Sequence, residues 1–244
     1  MIRPNLPDKS IRICAVSNDI TEEIEYNLCS ENINLLKVSG KMDCDIAVKN
    51  HPDLYLMHFD PDSLFFAKNI CSLAGDIYNN KTDINIDIPA GKVLYPRDVF
   101  FNAVSLGKIL ICCKRHIHPS LLEKADINGY NILDVNQGYT KCNICIVDNK
   151  SIITEDVGLA KKLSLFGFDV LLLEKHGVAL SGYKYGFIGG VSGKISEDKL
   201  AFFGDIKLHP EYDTIKRFLH ARGVEGVSLS CKPLYDYGSL LPLE

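Results

Sequence analysis

A cysteine that follows a lysine, Lys141-Cys142, and an aspartate that follows an arginine, Arg97-Asp98, are the residues of this chain best suited to chemistry. An ammonium beside a thiol raises its thiolate fraction, and the thiolate is the nucleophile. A carboxylate facing a planar cation makes a two-pronged, charge-assisted contact, and a buried carboxylate needs some such partner. These pairings make Cys142 the candidate nucleophile, tuned by Lys141, and Asp98 the candidate grip for a cation. The polar residues Arg97, Asn102, Lys194, Asp236 and Ser239 complete a candidate binding set, and Asp98, Cys142 and Asp236 should then share one cavity.

Each of these has a plainer reading. Free cysteine usually behaves as a small buried hydrophobe, and Asp98 could pair with its neighbour Arg97 or cap a loop. Cys142 and Cys145 form a C-x-x-C, but strand spacing would turn them to opposite faces and no second pair follows, so no zinc site is read there. His118-Pro119 and His209-Pro210 precede helical patterns, where a cap is the simplest role. His51, His58, His116, His176 and His220 show no spacing that marks a site. The glycines of Gly186–Gly193 lack the lysine and hydroxyl of a phosphate loop and read better as places of close backbone approach. No motif calls for a cofactor.

The elements that must position these residues repeat. Each copy is an apolar strand, a tight turn ending in lysine, a second apolar strand, a short helix and a return strand. The turns are Leu106-Gly107-Lys108, Asp148-Asn149-Lys150 and Glu197-Asp198-Lys199, and a spacing of about 40–50 residues marks a propeller or array. In the middle copy, Thr154, Glu155 and Asp156 offer cap oxygens, Leu159, Leu163 and Phe166 form a helical stripe, and Gly167 stops it. Pro119 and Pro210 open the helices of the flanking copies. A weaker copy begins at Leu54–His58 and Leu64–Ala67 around Asp60-Pro61-Asp62, with Asn79–Asp87 reading as loop. The strand–helix–strand piece Ile11–Val38 and a short strand near Leu240 supply a fifth copy by joining both ends. The expected architecture is one α/β domain over 1–244, a five-bladed propeller of strand–strand–helix–strand repeats.

The chain has 244 residues, 46% of them hydrophobic and 24% charged, and a net charge of −4. That composition suits a globular protein with a sizeable core. The absence of a basic stripe argues against nucleic acid as a partner. No apolar run is long enough to span a membrane. Nine cysteines without a secretory pattern at the start read as reduced thiols in the cytoplasm. Oligomeric state is not legible.

Five such units resemble the pentein superfamily of guanidino-group-modifying enzymes, which also includes the non-enzymatic translation initiation factor six. Tyr95-Pro96-Arg97-Asp98 is similar to that superfamily's aromatic-x-Arg-Asp segment. The segments Gln137–Cys142 and Phe187–Gly193 resemble an uncharacterised clostridial-type branch of it. The resemblance implies that Asp98 holds a guanidinium. It also implies a nucleophilic Cys near the C-terminal end, a His in the preceding repeat and an acidic residue in the third. Here Asp236–Leu241 offers a leucine in place of that thiol, Gly190–Lys194 contains no His, and Asn136-Gln137-Gly138 replaces the acid. Two functions are expected on this basis. One is a site in the central channel for a small guanidino- or amino-acid-like molecule, with hydrolase or amidinotransferase chemistry if active. The other is a non-catalytic propeller scaffold for protein or ribonucleoprotein contact.

Overall fold

In the computed structural model, which describes residues 3–68, 82–88, 91–174 and 176–244, fifteen strands form five separate three-stranded sheets. Four sheets run in chain order: β3 (Leu56–Asp60), β4 (Ser63–Ala67) and β5 (Thr82–Ile86); β6 (Val104–Leu106), β7 (Ile109–Cys112) and β8 (Asn131–Asp134); β9 (Cys145–Ile146), β10 (Ser151–Thr154) and β11 (Asp169–Leu172); β12 (Ser192–Lys194), β13 (Lys199–Phe202) and β14 (Glu225–Ser228). The fifth takes β1 (Ile13–Ser17) and β2 (Asn34–Val38) from one end of the chain and β15 (Leu241–Pro242) from the other. Its register pairs Cys14 with Pro242 and Ala15 with Leu241. In every blade the first strand pairs antiparallel with a central one, which pairs parallel with an outer one. The three-stranded part of the repeat is therefore present five times among the described residues, and both chain ends contribute to one blade.

A parallel return needs a crossover. Helices α1 (Glu22–Ser30), α2 (Pro119–Ile127), α4 (Val157–Phe166) and α5 (Tyr212–His220) supply it in four blades, and α3 (Thr140–Asn143) is a single turn ahead of β9. Asp156 caps α4 by accepting from Leu159 N at 2.8 Å, and Gly167 ends it at φ +104°, a conformation natural to glycine. His118 caps α2, its Nδ1 accepting from Ser120 N, whereas His209 Nδ1 accepts from Glu211 N in the turn ahead of α5 and does not cap it. Helix α5 begins at Tyr212 rather than at Pro210. The segment read as loop at 79–87 contains β5, whose polar sequence suits an outer strand; residues 79–81 lie outside the described residues.

The central strands are apolar on both faces because each blade packs between two neighbours. Leu200 and Phe202 face the β9–β11 blade, while Ala201 and Phe203 face the β1–β2 blade. Ile152 and Ile153 divide likewise between the two sides of β10. A continuous apolar wall results, and the first strands line the inside of the ring. Among the described residues no helix is long and apolar enough to cross a membrane.

Candidate functional site

The segment leading into each first strand delivers a group to the hub. Asp53 stands three residues before β3, Asn102 two before β6, Lys141 and Cys142 just before β9, and Ser239 two before β15. The fifth position, ahead of β12, is Gly189-Gly190. A Cβ on Gly189 would meet the carbonyls of Lys141, Cys142 and Ile144, and one on Gly190 would fall inside the Asp236 carboxylate. The glycines are therefore what lets the other four blades bring side chains to the axis.

These groups form one buried network. The Cys142 thiol donates to Asp53 Oδ2 at 3.0 Å and accepts from Asn102 Nδ2 at 3.3 Å. Asn102 Oδ1 accepts the backbone N–H of Lys141 at 2.7 Å, fixing the start of the α3 turn. Lys141 Nζ donates to Ser239 Oγ at 3.0 Å, and that hydroxyl lies 2.8 Å from Asp53 Oδ2 and 3.0 Å from the Gly189 carbonyl. Ser239 has φ +71°, a costly conformation for a residue with a Cβ and one met where surroundings over-determine it. Asp236 accepts from Phe187 N at 2.9 Å and Gly238 N at 3.0 Å, and its Oδ1 lies 3.9 Å from His51 Nδ1.

Burial sets the protonation states. It pushes the Asp53 carboxyl up, opposed by His51, the Cys142 thiol, Lys141 and Ser239. It pushes the Cys142 thiol well up, reinforced by Asp53 and Asp236, and it pulls Lys141 down. The sequence pairing of Lys141 with Cys142 thus does not yield an activated thiolate. The ammonium is turned to Ser239, and the thiol faces a carboxylate instead. Nor does Cys142 share a strand with Cys145: it lies in α3, and Cys145 begins β9.

The remaining candidates lie outside this hydrogen-bonded network. Asp98 is buried; its Oδ2 accepts the Tyr139 hydroxyl at 2.6 Å and its Oδ1 has no hydrogen-bond partner. Tyr139 rather than Arg97 holds it, and Arg97 is exposed. Lys194 is the last residue of β12, not a position ahead of it, and its Nζ donates to the Glu197 carbonyl across the turn. It approaches Lys141 only at a gap of about 10 Å³ beneath the hub. Two clefts open at the mouth: one of about 690 Å³ reaches His51, Asp236 and Asp45, and one of about 410 Å³ is lined by Glu155, His176, Tyr185 and Phe187. Tyr183 borders both, its hydroxyl donating to Asp45 Oδ2 at 2.6 Å. Asp236 lines the larger cleft, whereas Cys142 and Asp98 line neither, so the cavity expected to be shared by these three residues is not found in either cleft.

Sequence reading missed His51 and Asp53. Both side chains are buried; Asp53 Oδ1 and both ring nitrogens of His51 have no hydrogen-bond partner. One ligand atom each from His51, Asp53 and Cys142 lie within 4.8 Å of one another. The signal that could have found them is positional. His51-Pro52-Asp53 leads into β3 as Asn102 leads into β6.

With this geometry in place, the chain can be set beside known proteins. A family model described as a family of unknown function, DUF6873, matches residues 15–241. The chain belongs to DUF6873. No curated protein matches it. The DUF6873 chain is similar in structure to the inosamine-phosphate amidinotransferase of Streptomyces griseus, with TM-score 0.60, 9% identity, and 100% of this chain and 97% of that one covered. It is similar also to the agmatine deiminase of C. jejuni, with TM-score 0.55, 12% identity and coverage of 94% and 91%. A third likeness is to an amidinotransferase of saxitoxin biosynthesis from Microseira wollei, with TM-score 0.51, 10% identity and coverage of 94% and 91%. At such identities the likeness carries the fold alone: this chain has the pentein-type five-bladed α/β architecture.

Proposed function

We propose that the chain takes a small guanidino- or amino-acid-like cation at its hub and that Cys142 is the nucleophile toward it, through a set of partners different from the usual one. The observation that carries this reading is the thiol of Cys142 donating to Asp53 Oδ2 at 3.0 Å, with His51 completing the group. In that arrangement Asp53 takes the thiol proton as Sγ bonds to the amidino carbon. The C–N bond to the leaving amine then breaks, and His51 is placed to return a proton to that nitrogen. Water or a second amine next displaces the amidino carbon from sulfur, giving hydrolysis or group transfer. Asp98, with one unpartnered buried oxygen, is the group suited to hold the cation. Reduced thiols fit a cytoplasmic setting, and a single domain fits the unbroken ring of blades.

A second reading, a non-catalytic scaffold, is favoured by one observation: Cys142 is 1% exposed and lines neither mouth cleft. Binding separates the two. Chelator-treated protein is titrated calorimetrically with arginine, agmatine, a methylated arginine and citrulline. Saturable binding of the guanidinium compounds but not of citrulline, lost in Asp98→Asn, supports the first reading. Absence of binding by all four overturns it.

A further inference from the structure

Buried polar groups are nearly always satisfied, because leaving one unpaired forfeits its hydration without return. In the hub three such atoms cluster: both ring nitrogens of His51 and Asp53 Oδ1. The residues that own them are 3% and 1% exposed. A third donor, the Cys142 sulfur, completes the group within 4.8 Å. We propose that this trio is a metal site for one thiophilic divalent cation of the zinc class, held by an imidazole nitrogen of His51, a carboxylate oxygen of Asp53 and the Cys142 sulfur.

The donor set decides the class of ion. Imidazole, carboxylate and thiolate together suit Zn²⁺, whereas Mg²⁺ and Ca²⁺ take oxygen ligands alone. The spacing fits as well. Bonds of about 2.0–2.3 Å in a tetrahedron place ligand atoms roughly 3.5 Å apart, and Sγ and Asp53 Oδ2 already stand at 3.0 Å. Asp236 stands close by, its Oδ1 3.9 Å from His51 Nδ1. Entry is available, because His51 and Asp236 line the larger mouth cleft. Binding exchanges the thiol proton for the metal bond, and the proton leaves to solvent. Asn102 Nδ2, 3.3 Å from the sulfur, then donates to the bound thiolate and orients it. This site deepens the reading above, since it rests on the same hub: the cation holds Cys142 out of nucleophilic chemistry until it is removed.

The test is metal binding itself. Chelator-stripped protein carrying Cys29→Ser and Cys231→Ser, which removes the two exposed described thiols, is titrated with Zn²⁺ and, separately, with Co²⁺. The expected result is one ion per chain and a cobalt spectrum with a thiolate charge-transfer band and tetrahedral visible bands. Cys142→Ser and His51→Ala should each weaken Zn²⁺ binding by more than about 100-fold, beyond what loss of an outer partner costs. Absence of stoichiometric binding, a cobalt spectrum without the thiolate band, or unchanged affinity in both variants overturns the proposal. Should a variant fold poorly, the cobalt spectrum of the otherwise native hub still decides. Guanidino binding is measured on stripped protein, so failure of either proposal leaves the other result readable.

Discussion

Cys142 and Asp53 stand 89 positions apart in the chain, yet the thiol of one meets the carboxylate of the other at 3.0 Å. That meeting point is shared, because Ser239 approaches the same carboxylate oxygen and relays it to Lys141. Each group of the hub therefore bears on the others, and substitution or labelling at one is read at its neighbours.

Thiol labelling should be selective against Cys142. At neutral pH, mild alkylation should modify the exposed Cys29 and Cys231 first and Cys142 far more slowly, since its sulfur is buried and hydrogen-bonded and is reached only when the mouth opens. Peptide mapping after brief iodoacetamide treatment reads this. Rapid labelling of Cys142 would mean the hub is more open than its packing indicates.

Tyr183 ties the mouth to Asp45 by a hydrogen bond of 2.6 Å between exposed groups. Tyr183→Phe should leave stability within about 1 kcal/mol of the native chain while raising the Cys142 labelling rate several-fold. An unchanged rate would show that the ring does not open at this tie.

Removing the hub cation should be severe. Lys141 is fully buried, and its charge is balanced through Ser239 by Asp53. Lys141→Met strands the carboxylate and should cost about 3 kcal/mol in urea unfolding. Adding Asp53→Asn should recover part of that loss, because the stranded charge is gone. Simple additivity in the double-mutant cycle would show that the two groups do not communicate.

Glycine substitutions separate crowding from backbone conformation. Gly190→Ala places a methyl in the Asp236 carboxylate and should destabilise by more than about 4 kcal/mol, whereas Gly107→Ala, at φ +60° with open space around it, should cost only about 1 kcal/mol. Thermal midpoints of the two variants check this.

Glu155 gives the pH test. Burial raises its carboxyl from the ordinary 4.5 to about 7 in the folded chain. Between those values the folded chain holds a proton that the unfolded chain has released. Stability therefore falls as pH rises through that window and is unaffected below it. Glu155→Gln should flatten the midpoint-versus-pH curve from about pH 4.5 to 7. A curve as steep as the native one would refute the assignment.

The blades were legible in the sequence because their signals are local. An apolar hairpin around Asp148-Asn149-Lys150 and a capped helix ending at Gly167 each lie within one copy. Of the site, Asn102, Lys141, Cys142, Asp236 and Ser239 come together in the structure. Their partner Asp53 carried no local mark, since it meets Cys142 only when the ring closes. Lys141 reaches the axis because it stands just ahead of β9. Lys194 does not, because it ends β12 and the positions ahead of that strand are the glycines Gly189-Gly190. β5 escaped because an outer strand buries too little to look apolar.

The pairing of β15 with β1 has a consequence for the whole molecule. Without the segment 241–244, β1 would present unsatisfied backbone groups at Ile13 and Ala15, an open seam that another copy's strand could enter. The hydrogen bonds that shut the wheel are thus also what keeps it from zipping onto its neighbours.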